Sequence, residues 1–139
     1  MYEKILVTLD ATDADRTILE HIKPLARMCC SRIVLLHVAD GWAARHFGSD
    51  AVSAEVTEDR AYLEKVRQEL VAAGVPTEAE LAFGDPAKEI VKWVEEQHCD
   101  LIAMTTHGHR LLADLVLGTT VTQVHHSVRV PVLLVKAAK

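Results

Sequence analysis

The segment THGHRLLADLVLGTT, residues 106 to 120, carries the residue types and spacing best suited to chemistry. Gly108 and Gly118 bracket nine residues, and Thr119 and Thr120 follow where a helix should begin. A helix start offers unpaired N–H groups and partial positive charge, glycine lets backbone approach a ligand closely, and threonine hydroxyls add donors. That set can hold a phosphate without a lysine. The same residues also fit a plain loop in which Gly118 is a turn and Thr119 caps the helix. Asp10 is the second candidate, because it ends the first strand, at the rim where open α/β sheets bind ligands. Capping the first helix is its alternative role. His107 and His109 flank Gly108 but lack a third ligand in sequence, so they read as solvated imidazoles and not as metal ligands. His125 and His126 are consecutive on a helix and point about 100° apart, which prevents them from clamping one ion. No lysine follows the last glycine as a P-loop requires, and no nucleophile–base set or carboxylate pair is visible, so an enzyme is not expected.

The elements that must position these residues follow from periodicity. Residues 4–9, 32–38, 78–83, 100–105 and 130–136 are short strand candidates, three of them nearly continuous apolar runs. Such strands are buried on both faces, which marks a parallel sheet covered by helices. Between them, Ile18, Leu19, Ile22, Leu25, Ala26 and Cys29 recur at helical spacing behind Thr12 or Asp13 as a cap, with Pro24 expected to kink or loosen the helix. Val56, Leu63, Val66, Leu70 and Ala73 form a second stripe, stopped by Gly74 and Pro76. Asp85 and Pro86 open a third helix that buries Ile90, Val91 and Val94, with Trp93 packing nearby. A fourth runs over 119–127 with Val121, Val124 and Val128 inward. This alternation predicts an α/β fold: an open, five-stranded, parallel, doubly wound sheet in the order 3-2-1-4-5, with helices on both faces. In such sheets ligands sit at the carboxyl ends of the strands where the order reverses, here between the first and fourth strands. Residues 39–54 and 105–118 read as long irregular segments, and Trp42 and Phe47 in the first could cover a ligand or pack on a neighbouring surface.

Composition narrows the class. A chain of 139 residues, 50% of them hydrophobic, fills one core, so a single domain spanning 1–139 is expected. There is no apolar run of about 18 residues and no secretory pattern at the start, and Cys29, Cys30 and Cys99 lack framework spacing. A reduced, cytoplasmic protein without a membrane role is the expectation. The net charge of −5 argues against a sequence-independent grip on nucleic acid. A phosphoacceptor receiver domain of similar architecture would need Asp10, Asp85, Thr105 or Thr106, and Lys136 in fixed roles. It is set aside, because Asp10 lacks an acidic neighbour and Asp85 falls at a helix cap.

The order and spacing of KILVTLD, IVLLHV, FGDPAKEIV, DLIAMTTHG and VPVLLVK, with the glycine pattern, resemble the universal stress protein family across essentially the whole chain. The family's nucleotide motif reads Gly-x2-Gly-x9-Gly followed by Ser or Thr, matched here by Gly108, Gly118 and Thr119, with Thr105 in place of the first glycine. The resemblance implies that Asp10 lies beside adenine and ribose, that Thr8 and Leu9 line the same pocket, and that the Val38 backbone meets the adenine edge. Met104 and Thr105 would floor the ribose and α-phosphate region, and Gly108, His109, Gly118, Thr119 and Thr120 would surround the phosphates. It further implies ATP or AMP as ligand, with or without Mg²⁺, and a role in the stress response as a regulatory module acting through a protein partner. Homodimerisation through the last strand is part of the same implication. Thr105 adds bulk and tolerates positive φ poorly, which leaves AMP binding, weak ATP binding, or an interaction module without nucleotide as alternatives. Slow ATP hydrolysis, with Asp10 or His107 orienting a water, is the remaining one.

Overall fold

The computed structural model describes residues 1–39, 49–106 and 119–137. Strands β1 (Lys4–Thr8), β2 (Arg32–Ala39), β3 (Thr77–Phe83), β4 (Leu101–Thr106) and β5 (Val132–Lys136) form one sheet in the order β3-β2-β1-β4-β5. Every neighbouring pair is parallel. Helices α1 (Asp15–Cys29), α2 (Ser49–Ala72), α3 (Pro86–Gln97) and α4 (Thr119–Ser127) make the crossovers.

Side chains alternate across a strand, so an apolar run must meet a hydrophobic layer on each side. Ile5 and Val7 of β1 pack with Ile18 and Ile22 of α1 and with Leu63 and Leu70 of α2. Leu6, between them, packs with Ile90 and Val94 of α3 and Val121 and Val124 of α4. Of the expected inward residues of the last three helices, Leu63, Val66, Leu70, Ile90, Val94, Val121 and Val124 are buried against the sheet and Val128 and Trp93 lie against the second layer, whereas Val56, Ala73 and Val91 are half-buried outside both layers. Asp85 caps α3 as expected, its carboxylate accepting from the Lys88 N–H at 3.0 Å. That duty is what a helix cap does and not what a phosphoacceptor does.

Several boundaries differ from the sequence expectation. Helix α2 starts at Ser49, so residues 49–54 are helical and not part of an irregular segment. Asp100 precedes β4, because its carboxylate accepts from the Glu3 and Lys4 N–H groups at 2.9 and 3.1 Å and pins the start of β1. Thr105 and Thr106 are strand residues, paired with Val135 and Lys136. Pro24 leaves α1 unbroken. It sits on the exposed side of the helix, where water can meet the carbonyl that its missing N–H abandons. Neither Thr12 nor Asp13 is the N-cap of α1: Ala14 holds that position without a side-chain cap bond. A tight turn explains this, with Asp15 N–H donating to Thr12 O, Arg16 N–H to Asp13 O, and the Thr12 hydroxyl accepting from Ala14 N–H.

Leu6→Ala should destabilise the protein by about 2–5 kcal/mol, the range for a truncated core leucine. Leu6 is 0% exposed, so little of the cavity can collapse. Denaturant unfolding followed by circular dichroism measures it.

Candidate functional site

The carboxyl ends of β2, β1 and β4 lie side by side at the point where the strand order reverses. Thr8 pairs with Leu36 and Val7 with Ala103, so Val38 and Thr105 stand two positions beyond those partners and flank the exit of β1. The pairing outlasts the strand by one residue, since Leu9 N–H donates to Leu36 O at 2.9 Å. Leu9 itself is buried, and Asp10, next in the chain, is exposed. Met104 is buried beneath this end, in the layer shared with α3 and α4, with Val38 packed against it. The Thr8 hydroxyl lies 3.5 Å from the Ala103 carbonyl. Thr8, Leu9, Asp10, Val38, Met104 and Thr105 therefore stand at one rim of the sheet, with Leu9 in the layer of α1 and α2 and Met104 and Val38 in the layer of α3 and α4. Thr119 begins α4 and Thr120 is partly buried in its first turn. Gly108, His109 and Gly118 lie outside the described residues, as do His107, Trp42 and Phe47.

Thr105 departs from expectation in a useful way. As a paired residue of β4 it is extended, and its backbone is not among the described positive-φ positions. The concern that a β-branched residue would have to adopt a left-handed backbone there does not arise. Its hydroxyl is buried without a hydrogen-bond partner. A buried unpaired hydroxyl costs about 1–3 kcal/mol.

The turn after β1 is built by residues that the sequence reading passed over. Asp15 is 1% exposed. Its Oδ1 accepts from Asp10 N–H at 2.8 Å, and its Oδ2 accepts from Ala11 N–H at 2.9 Å and from the Tyr62 hydroxyl at 2.7 Å. Ala11 sits at φ +61°, in the left-handed region that non-glycine residues seldom occupy. On the neighbouring strand, His37 Nδ1 donates to Leu9 O at 2.8 Å while Nε2 faces Asp59 Oδ2 at 3.4 Å. Helix α2 thus reaches this turn twice, through Tyr62 and through Asp59. One signal could have exposed Asp15 in sequence: it is the first member of the stripe Asp15, Ile18, Ile22, Ala26, all of which are buried. An acid at a core-facing position needs partners.

Burial pushes the Asp15 carboxyl above its ordinary value. The bonds from Asp10 N–H, Tyr62 and Ala11 N–H pull the other way, and the Asp10 charge adds to the upward push. The Tyr62 phenol is held well above its usual range, first by burial and then by its bond to Asp15, so it remains a donor. Among the described residues no group of three side chains could hold a metal ion. His125 and His126 meet edge to face, with ring centroids 5.9 Å apart.

The model of the universal stress protein family matches residues 1–136. The chain belongs to that family. Universal stress protein MJ0531 of Methanocaldococcus jannaschii is 30% identical over 100% of this chain and 85% of its own length. Universal stress protein MJ0577 of the same organism is 26% identical over 98% and 96% of the two chains. The solved structure of MJ0577 superposes with a TM-score of 0.85 at 29% identity, covering 100% of this chain and 99% of its own. A universal stress protein solved in complex with cAMP has the same fold, with a TM-score of 0.74 at 19% identity over 99% and 98% of the chains.

The raised Asp15 carboxyl gives a pH signature. The folded state holds this proton more tightly than the unfolded chain, so the stabilisation is complete below the ordinary aspartate range and is lost as pH rises through the raised value. The stability advantage of wild type over Asp15→Asn should therefore shrink as pH rises above the ordinary aspartate range. Urea unfolding of both proteins at several pH values reads the difference, and a gap that widens instead contradicts it.

Proposed function

We propose that this universal stress protein binds an adenine nucleotide, ATP or AMP, in the crevice between β1 and β4. The observation that carries the reading is an exposed carboxylate, Asp10, at the order reversal, in a chain whose strand β4 leads to a helix that begins with Thr119 and Thr120. Open α/β sheets place ligands at this point, and a helix start favours phosphate. Family membership supports the reading. The cAMP-bound relative shares the fold alone, so the proposal stands on this chain's own residues.

In this reading Asp10 accepts from the ribose hydroxyls, the Val38 backbone meets the adenine edge, and Thr8, Leu9, Met104 and Thr105 line the pocket between. Gly108, His109, Gly118, Thr119 and Thr120 surround the phosphates, with Mg²⁺ accompanying ATP. The nucleotide acts as a signal and not as a substrate, and the occupied state is read by a partner protein in the stress response. We place the protein in the cytoplasm. Among the described residues no helix is long and apolar enough to cross a membrane, and Cys29, Cys30 and Cys99 are free thiols, as a reducing compartment keeps them.

The protein works as a homodimer through β5. Among the described residues that strand pairs with β4 and with no second strand, and Leu134 on it is 38% exposed. An unpaired edge with apolar side chains invites a second copy.

Calorimetric titration with ATP and with AMP, with and without Mg²⁺, should give saturable binding that Gly118→Val abolishes; no heat from folded wild type with either ligand would overturn the nucleotide reading. Leu134→Lys should convert a dimer to a monomer in sedimentation velocity. A wild-type protein that sediments as a monomer sinks the assembly.

A further inference from the structure

The Asp10 and Ala11 N–H groups converge on one carboxylate, which two successive residues can do only when the backbone turns sharply between them. Here the turn is made by an alanine at φ +61°, a conformation that its β-carbon disfavours and glycine would adopt freely. Something outside the turn must hold it, and the partner present is Asp15, buried and itself fixed by the Tyr62 hydroxyl 47 residues away. Two adjacent N–H groups in such a turn form a small anion-binding nest. In this protein the nest is already filled, by the chain's own carboxylate.

We propose that Asp15 is a positioning residue of the nucleotide site: it holds the left-handed turn that presents the Asp10 carboxylate to the ligand's sugar, and by filling the nest it denies that end of the crevice to phosphate. The role rests on the nucleotide reading given above. With Asp10 and Asp15 both at the exit of β1, this end of the crevice is acidic and attracts hydroxyl donors, while phosphate is directed toward the start of α4. Tyr62 extends the device to α2, so the docking of that helix and the shape of the turn are coupled.

The test pairs nucleotide affinity with amide hydrogen exchange of the ligand-free protein, read residue by residue by NMR. In Asp15→Asn, the side-chain amide offers one acceptor where two are needed and sets a donor against a donor. The Asp10 and Ala11 amides should exchange about tenfold or more faster, while core amides such as Leu6 and Ile102 keep their protection. Nucleotide affinity should fall about tenfold, the order expected for losing hydrogen bonds to a charged group. Adding Ala11→Gly to Asp15→Asn should recover part of that affinity, because glycine relieves the strain that Asp15 holds in check. A purely structural role would not be rescued this way. Should Asp15→Asn fail to fold, Tyr62→Phe keeps the ring, deletes one donor and should weaken binding about threefold. Wild-type affinity in Asp15→Asn, or in Tyr62→Phe where that variant is used, overturns the positioning role alone. Absence of binding in wild type with both amides protected overturns the nucleotide reading, and the role with it, while the turn geometry stands.

Discussion

Ile5, Leu6 and Val7 are consecutive in β1 and none is exposed to solvent, so the strand must lie between two apolar layers. That single requirement organises the molecule. A strand buried on both faces is most readily served by parallel neighbours whose crossover helices cover both sides, as α1 and α2 do on one face and α3 and α4 on the other. Parallel strands in turn place all their carboxyl ends at one rim. With β1 at the centre of the sheet, its exit lies between those of β2 and β4, and whatever the protein binds at the order reversal is met first by the residues that follow Thr8.

The rim solves a polar problem that the core creates. A chain leaving a fully buried strand exposes consecutive backbone groups before the next helix can satisfy them. Leu9 O is taken by His37 and the next two N–H groups by Asp15, both side chains coming from the α1 and α2 side of the sheet. Burying Asp15 carries a desolvation penalty, visible in the direction of its proton affinity, and three donors offset it. The result is a turn whose geometry depends on two helices far apart in sequence.

This division explains how much was legible in the sequence. The sheet order and both helix layers follow from apolar runs and stripes, signals that repeat over many residues and tolerate local error. The cap and first turn of α3 follow from Asp85 and Pro86, whose physics is local. The support of the β1 turn follows from neither. Asp15 meets Tyr62, His37 meets Asp59 and Leu9, and no short-range pattern announces pairings set by the packing of α2 on the sheet. The start of α2 at Ser49 was hidden for a related reason: its apolar stripe begins only at Val56, and the preceding turns carry no periodic face to read.

Thr105 shows how the fold changes the meaning of a residue. In sequence it is a β-branched substitution at a motif glycine, a threat to any phosphate grip. In the sheet it continues β4, and alternation assigns it to the face of Leu101 and Ala103, which pack toward α1 and α2. Ile102 and Met104 face the other side, with Val121 and Val124 of α4. The bulk that Thr105 adds therefore lies on the opposite face of the sheet from α4, whose first turn is the proposed phosphate contact. A glycine at this position would relax the backbone. A threonine stiffens it in the extended form that the strand already requires, and the conflict read from the motif becomes a property of one face of one strand.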